Sequence, residues 1–483
     1  MLSCGVSPGF GSLRVSCLSL RVVDSVSVFR ALRFPGLAIA LGPSNIIRAM
    51  SYKVLVRLGV HPACRLKPKE RPGSRFFEQP RLRDVPEDDR WRDEGLLFGH
   101  LNLRLGSGPP DWLSNPRTGA RVDSHLPWWQ IPDFDEEVGD IKMLWETSRF
   151  EFAIPFMKRA VGGDAASLER LNLWLQDWCD RNPAYQGPNW KCGQECSLRI
   201  LHLSAALLIS GTQPSAALKW FVRTHIDRIR PTIAYAISQN NNHGTSEASA
   251  LFVGGLVLDD AEVVRLGRCM LENRVKALVA DDGTFSQYST NYHRLMLDTV
   301  TFAELFRRTI NSPAFAPEFY ARMTAAVSWL ADLTDGSTGE APNLGANDGA
   351  RVLAFLPTRH SDMRPTVQLG ALLFAGAVLY EEALPLSDLE MTFGTRLAGE
   401  VGALPVRHAR PRSVEVLRAN DTMAMLRLPE YAFRPSQCDC LHLDIWRHHQ
   451  PIAMDGGTYS YNSSLPICDE LVGTRGHNTV EFD

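Results

Sequence analysis

Four polar constellations in this chain carry residue types able to do chemistry. The first is SQNNNHGTSEAS, Ser238 to Ser249, where Asn240, Asn241, Asn242 and His243 precede the apolar run Ala248 to Leu258. Amide side chains compete with the backbone for hydrogen bonds and sit poorly inside helices. The segment therefore reads as a connection into a helix, capped by Thr245 or Ser246 with Glu247 in the first turn. Asn and His groups beside the free N–H groups of a helix start can hold an anion, although an ordinary polar turn has the same pattern. The second is GPNWKCGQECSLR, which crowds Asn189, Trp190, Lys191, Gln194, Glu195 and Arg199 at another helix start. A Trp face beside Lys and Arg suits a sugar ring bearing a carboxylate. The third, DDGTFSQYSTNYHRL, gathers Tyr288, Asn291, Tyr292, His293 and Arg294. The fourth is His442, Asp444, Asp455 and His477. In a strand, His442 and Asp444 share a face, and the set offers His/Asp ligands to a zinc-like ion or a polar cluster that buttresses a sheet.

One more stretch belongs with these. In GDIKMLWETSRF, Lys142, Trp145, Glu146 and Arg149 recur at three- and four-residue steps and so share a helical face. That face is either a wall of a polar cleft or a solvated set of salt bridges.

The elements that must position these groups change character along the chain. Residues 1–49 hold eight serines and five arginines against one acid, Asp24, with no sustained period. They read as a disordered extension, or as an over-extended start with translation beginning at Met50. Residues 65–140 are rich in Pro, Trp, Arg and Asp and read as an extended segment laid over a surface. Helical patterns follow to about residue 385. Leu168, Leu171, Trp174, Leu175 and Trp178 form one stripe, and further helices are predicted near 216–229, 246–257, 261–280, 298–310, 317–333 and 366–382. Short Pro/Gly connections between helices of similar length predict a helical-hairpin array or toroid over 50–390. After Gly394 the period becomes two. Strands are predicted at Val414–Leu417, Met423–Leu428, Leu441–Trp446 and Ile452–Asp455, with turns at Pro451 and Gly456-Gly457, so 395–483 is a second, β-rich domain. A strand-like stretch at Asn478–Phe482 runs into the last residue, Asp483, and predicts a sandwich cut short.

Bulk properties bound the rest. The hydrophobic share is 45%, the net charge −3, and no run of 18 apolar residues occurs, which predicts no membrane insertion and gives no global drive toward nucleic acid. The ten cysteines are scattered and read as free, mostly buried thiols.

Taken in order and spacing, GDIKMLWETSRF, NPAYQGPNWKCGQE, SQNNNHGTSEASAL, DGTFSQYSTNYHR, CLHLDIW, MDGGTYSYN and RGHNTVEFD resemble the heparinase II/III family of polysaccharide lyases, related to heparin-sulfate and alginate lyases. The resemblance spans about 140–483. It implies an α+β multidomain chain: an incomplete α/α-toroid followed by an antiparallel β-sandwich, with the site between them. It also implies β-elimination on a uronic-acid polysaccharide, which needs a neutralised carboxylate, a base at C5 and an acid at the leaving oxygen. By resemblance Asn242 and His243 hold the carboxylate, Tyr292 is the acid and in some relatives also the base, and His442 is base or metal ligand. Some relatives have a histidine where this chain has Cys440. His442, Asp455 and His477 match the zinc ligands of one branch, where such an ion would brace the sandwich. Lys142, Glu146, Arg149, Trp190, Glu195, Arg199 and Arg294 are the candidates for lining the cleft. The resemblance points to a periplasmic or secreted protein, whereas the lack of a convincing signal peptide points to the cytoplasm. Two other readings stand beside the lyase: a glycoside hydrolase drawing on Glu146, Glu195 and Glu247, and a glycan-binding or polysaccharide-export accessory protein without catalysis.

Overall fold

The computed structural model describes residues 42–481 except 107, 405–412, 429–432, 434–435, 461 and 463–464. Of the segment expected to be disordered, residues 1–41 lie outside the described residues, but the remainder is not structureless. Helix α1 (Pro43–Arg57) starts there, with Pro43 in its first turn, where a missing N–H costs nothing. Tyr52 stacks on Tyr235 at 4.0 Å, which gives the helix a partner that its sequence alone does not reveal.

An extended segment then crosses the surface with two small antiparallel hairpins. These are β1 (Glu94–Leu97) with β2 (Leu101–Arg104), and β3 (Phe134–Asp135) with β4 (Gly139–Asp140). Buried aromatic residues, Phe76, Phe77, Trp91 and Trp112 among them, pin it to the helices. The helical part runs α2 (Lys142–Thr147), α3 (Ala153–Val161), α4 (Ala165–Arg181), α5 (Gly193–Ser210), α6 (Ala216–Ile229), α7 (Ile233–Ser238) and α8 (Asn242–Leu258). It continues through α9 (Ala261–Leu278), α10 (Thr290–Thr309), α11 (Pro317–Leu333), α12 (Arg364–Ala375) and α13 (Leu386–Phe393). Short β5 (Ala377–Val378) and β6 (Glu400–Val401) pair in parallel.

The helices form because their apolar stripes and end signals agree. In α4 the side chain of Asp164 accepts from Ser167 N–H at the start, and Leu168, Leu171, Trp174, Leu175 and Trp178 are all buried. Helix α5 ends on Gly211 at φ 64°, the left-handed cap that favours glycine. Helix α8 is apolar on nearly every side and packs against α5, α6, α9 and α10, which makes it the centre of the toroid. Gly267 of α9 allows that closeness, since a Cβ there would lie 2.3 Å from Phe252 N.

The β-domain contributes β7 (Val414–Ala419), β8 (Thr422–Arg427), β9 (Leu443–Arg447) and β10 (Gln450–Ala453), an antiparallel sheet in the order β10-β9-β8-β7, and then α14 (Pro466–Val472). Two predicted details change. Pro451 lies within β10 at the sheet edge, where a missing N–H is tolerated, and the turn falls instead on His448 and His449, both at positive φ. Asn478–Glu481 is not strand: the Asn478 side chain donates to Leu443 O and Met454 O instead of entering a ladder, and Phe482 lies outside the described residues. The fold is an α/α-toroid followed by an antiparallel β-domain. No helix among the described residues is long and apolar enough to cross a membrane.

The two parts meet through directed contacts. Arg427 of β8 donates to Tyr288 O at 2.9 Å, Ser413 meets Thr284 at 2.7 Å, and Asn347 N–H donates to Thr458 at 3.1 Å. Asn462 donates to Asp140 at 2.8 Å.

Candidate active site

The three asparagines divide the labour of the connection between α7 and α8. Asn240 takes the left-handed region at φ 50°, which asparagine tolerates better than most residues. Asn241, not Thr245 or Ser246, caps α8, its side chain accepting from His243 N–H at 3.1 Å. The helix therefore begins at Asn242, and the hydroxyls of Thr245 and Ser246 turn back to Asn242 O at 3.0 and 2.9 Å. Asn242 donates from Nδ2 to Gln194 Oε1 at 2.6 Å, and its backbone N–H donates to Gln287 Oε1 at 2.8 Å. Gln194 lies in the first turn of α5 and Gln287 just before α10. The amino ends of α5, α8 and α10 are thus tied together, and their dipoles favour negative charge at one place.

Tyr292 lies in the first turn of α10, whose N-cap Ser289 accepts from Tyr292 N–H. Its hydroxyl donates to Asp348 Oδ2 at 2.9 Å. Asp348 also accepts from Lys142 Nζ at 2.7 Å and from Asn291 Nδ2 at 3.1 Å. Burial opposes its charge, but Lys142 and Arg149, with hydrogen bonds from Lys142 and Tyr292, hold this carboxyl well below its ordinary range. Because Asp348 is ionised, the shared proton rests on Tyr292. The loop that carries Asp348 packs tightly on the start of α10: a Cβ at Gly345, φ 68°, would lie 2.3 Å from Tyr288 O.

Behind Lys142 stands a buried charge cluster. Arg149 makes a forked pair with Glu195, at 2.8 and 2.9 Å, and also bonds Glu146. One guanidinium serves two carboxylates, and Glu195 has the better share. Burial pushes Glu146 up to about 7, with Arg149 only partly offsetting it, while Arg149 and its neighbours hold Glu195 low against burial. Of the predicted helical face, Lys142 and Glu146 lie on α2. Arg149 lies past the end of that helix, which stops at Thr147.

Several predicted residues do not line a cleft. Arg199 is fully buried between Trp178 and Trp190 and donates to His225 Nε2 at 3.0 Å. Trp190 is 2% exposed and spends its indole N–H on Asn182 O. Trp beside Arg, read as a sugar platform, is here a cation–π pair inside the toroid. Arg294 holds the loop bearing Asp348, donating to Ala350 O and His360 O. Glu146, Arg149 and Glu195 are buried and bind one another. Lys142 is the one of the seven that is near both Tyr292 and the surface. Asp348 was missed because a lone Asp in PNLGANDGA has no spacing signature. Its only signal was a Gly/Asn-rich loop between helices.

His442, expected as base or metal ligand, has a partner at each ring nitrogen. It is fully buried in the β-domain, its Nδ1 accepts from Asn478 N–H at 3.1 Å, and Nε2 faces Asp444 Oδ2 at 3.4 Å. The predicted neighbours do gather: the ring of His477 lies 5.7 Å from that of His442, and His477 Nε2 is 3.3 Å from Asp455 Oδ2. Among the described residues no group of three His, Cys, Asp or Glu is arranged to hold a metal ion. Of the cysteines, Cys438 is disulfide-bonded, a pairing that spacing alone does not reveal, while Cys64, Cys179, Cys192, Cys196, Cys269, Cys440 and Cys468 are free.

No protein-family model matches the chain, and no curated protein matches it in sequence. Among solved structures, heparinase III superposes over 95% of this chain and 71% of its own, with TM-score 0.53 and 16% identity. The chain has the heparinase III fold. A heparinase III with methylated lysines is similar at TM-score 0.46 and 17% identity, over 72% of this chain, which spans 58% of that protein. A mutant of the heparan sulfate lyase HepC from Pedobacter heparinus is similar at TM-score 0.43 and 13% identity, over 95% of this chain and 68% of its own. Within the heparinase III fold, Tyr292, Asp348 and Lys142 stand where toroid and β-domain meet. Asn347 beside Asp348 bonds Thr458, and Asp140 just before α2 bonds Asn462.

Proposed function

We propose that the chain is a polysaccharide lyase that cleaves a uronic-acid-containing acidic polymer, heparin/heparan sulfate-like or alginate-like, by β-elimination. The observation that carries this is the junction of three helix starts, with the amide of Asn242 at one side and the hydroxyl of Tyr292, bonded to Asp348, at the other. Asn242 and His243 take the sugar carboxylate. Cys192 and Glu247 outweigh burial and push His243 up to about 10, so it meets the anion as an imidazolium. That charge lowers the cost of an enolate-like intermediate at C5.

Tyr292 performs the proton transfers. Reacting as the phenolate, Tyr292 takes the C5 proton, the C4–O bond breaks as the C4=C5 bond forms, and the phenol so formed gives that proton to the leaving oxygen. The residue ends as it began, which suits removal of the proton and the leaving group from one face. Asp348 and Lys142 fix the direction of the hydroxyl. No step passes through His442 or a metal. The hydrolase reading loses its acids, because Glu146 and Glu195 are buried on one arginine and Glu247 faces His243. Incubation with heparan sulfate, alginate and hyaluronan should release ultraviolet-absorbing unsaturated ends from at least one. Ordinary reducing ends without unsaturation would refute the elimination.

A further inference from the structure

The β-domain reaches the Tyr292 centre at two points, and both belong to one loop. Asn347 N–H donates to Thr458 Oγ1 at 3.1 Å, and Gln437 Nε2 donates to the same oxygen at 3.3 Å from within the β-domain. Two residues on, Ser460 Oγ donates to Asp140 Oδ2 at 3.3 Å. Asn462 follows, its backbone N–H donating to Oδ2 at 3.1 Å and its amide to Oδ1 at 2.8 Å. Asn347 immediately precedes Asp348, and Asp140 stands two residues before Lys142. Lys142 Nζ and Asp348 Oδ2 are themselves 2.7 Å apart. One loop of the β-domain is therefore fastened beside both halves of the ion pair whose carboxylate accepts from Tyr292.

Asp140 is the joint in this arrangement. Its Oδ1 also accepts Lys142 N–H at 3.0 Å, so the carboxylate that takes the loop fixes the first residue of α2 as well. Its four donors are all uncharged, three of them come from the β-domain, and no cation bonds it among the described residues. Apolar burial does little to hold the loop, since Met454 is 51% and Tyr459 55% exposed. The polar fasteners do that work, helped by Gly457 at φ 79°, where a Cβ would lie 2.8 Å from Asn343 Nδ2. A different bond between the two parts offers a contrast. His449 Nδ1 and Asp335 Oδ2, 2.7 Å apart, join them through exposed groups that touch neither α2 nor the loop bearing Asp348.

We propose that Asp140 is a positioning residue, through which the β-domain loop of Thr458, Ser460 and Asn462 sets Lys142 against Asp348 and so aims the phenol oxygen of Tyr292. The β-domain is then part of the catalytic machinery, although it supplies no group to the proton transfer. The effect on turnover rests on the elimination reading, whereas the coupling of the loop to the ion pair does not.

The test combines peptide-resolved hydrogen exchange with kinetics on the full chain, using Asp140→Ala, Asn462→Ala and the control His449→Ala. Each of the first two should speed exchange about tenfold over 344–350 as well as over 455–462, the scale of losing about one hydrogen bond's worth of protection. Unchanged exchange over 245–258, in the centre of the toroid, reports that each variant is folded. On a polymer that the parent cleaves, kcat should fall about tenfold with KM within about twofold, and the double variant should be no slower than Asp140→Ala alone. His449→Ala should leave kcat and exchange over 344–350 at the parent values. Exchange over 344–350 that neither variant moves, or a loss of kcat that His449→Ala matches, overturns the proposal. Exchange that moves as expected in a chain whose parent cleaves no uronate polymer upholds the coupling and counts against the elimination reading alone.

Discussion

Replacing Asp348 with Asn removes one charge and keeps the shape. Asp348 accepts from Lys142 at 2.7 Å, Tyr292 at 2.9 Å and Asn291 at 3.1 Å, and the amide can offer only one oxygen to these three donors. The Lys142 ammonium, with a side chain 16% exposed, loses the carboxylate that it bonds at 2.7 Å. A hydrogen bond to a charged group is worth about 1.5–3 kcal/mol. After discounting for the solvent that still reaches Lys142, the loss of stability should be about 2–3 kcal/mol. Turnover should fall about 100-fold, the scale of a displaced proton-transfer group, with less effect on KM. The pH dependence has a definite sign. The folded carboxyl lies below its unfolded value, so its contribution is present above about pH 4 and is lost as pH falls through that range. Asp348→Asn should therefore flatten the acid limb of a stability–pH curve measured by denaturant unfolding. Urea melts across pH and initial rates of unsaturated-end formation supply both readouts. A variant with an unchanged acid limb and a kcat within about twofold of the parent would refute the role given to Asp348.

Glu146→Gln should be tolerated. Glu146 is pushed up to about 7 mainly by burial, so its contribution is full at low pH and is lost as pH rises through about 7; the variant should flatten that decline in the same melts. Arg149→Met should cost about 3–5 kcal/mol, since it leaves Glu195 buried and unpaired, and it should lower the thermal midpoint far more than Glu146→Gln does. His442→Gln should destabilise the β-domain by about 1–3 kcal/mol while turnover per folded molecule stays at the parent value, checked by rates normalised to the folded fraction.

The toroid was legible because its helices satisfy two codes at once: apolar stripes such as Leu168 to Trp178, and caps or prolines at their ends. The helix starts that carry Asn242 and Tyr292 stood out for a related reason, since NNNH and NYHR are polar where a buried helix should be apolar. Other features stayed hidden where one residue type serves two physical ends. Trp190 and Arg199 carry the composition of a sugar platform, yet three-dimensional neighbours such as Trp178 and His225 turn them into core. His442 and Asp444 do share a face, as strand alternation predicts, but alternation does not say that the face is dry and fully paired. Asp348 was out of reach because its partners Lys142 and Tyr292 lie far away in sequence and meet it only through the fold.

The most direct measurement compares Tyr292→Phe with the parent on the uronate polymer that the parent cleaves, following polymer binding and unsaturated-end formation together. Binding within about twofold and turnover reduced by at least about 100-fold is the predicted result. Turnover near the parent level with the hydroxyl removed would contradict the account, because no other group placed at that junction is assigned to move the C5 proton.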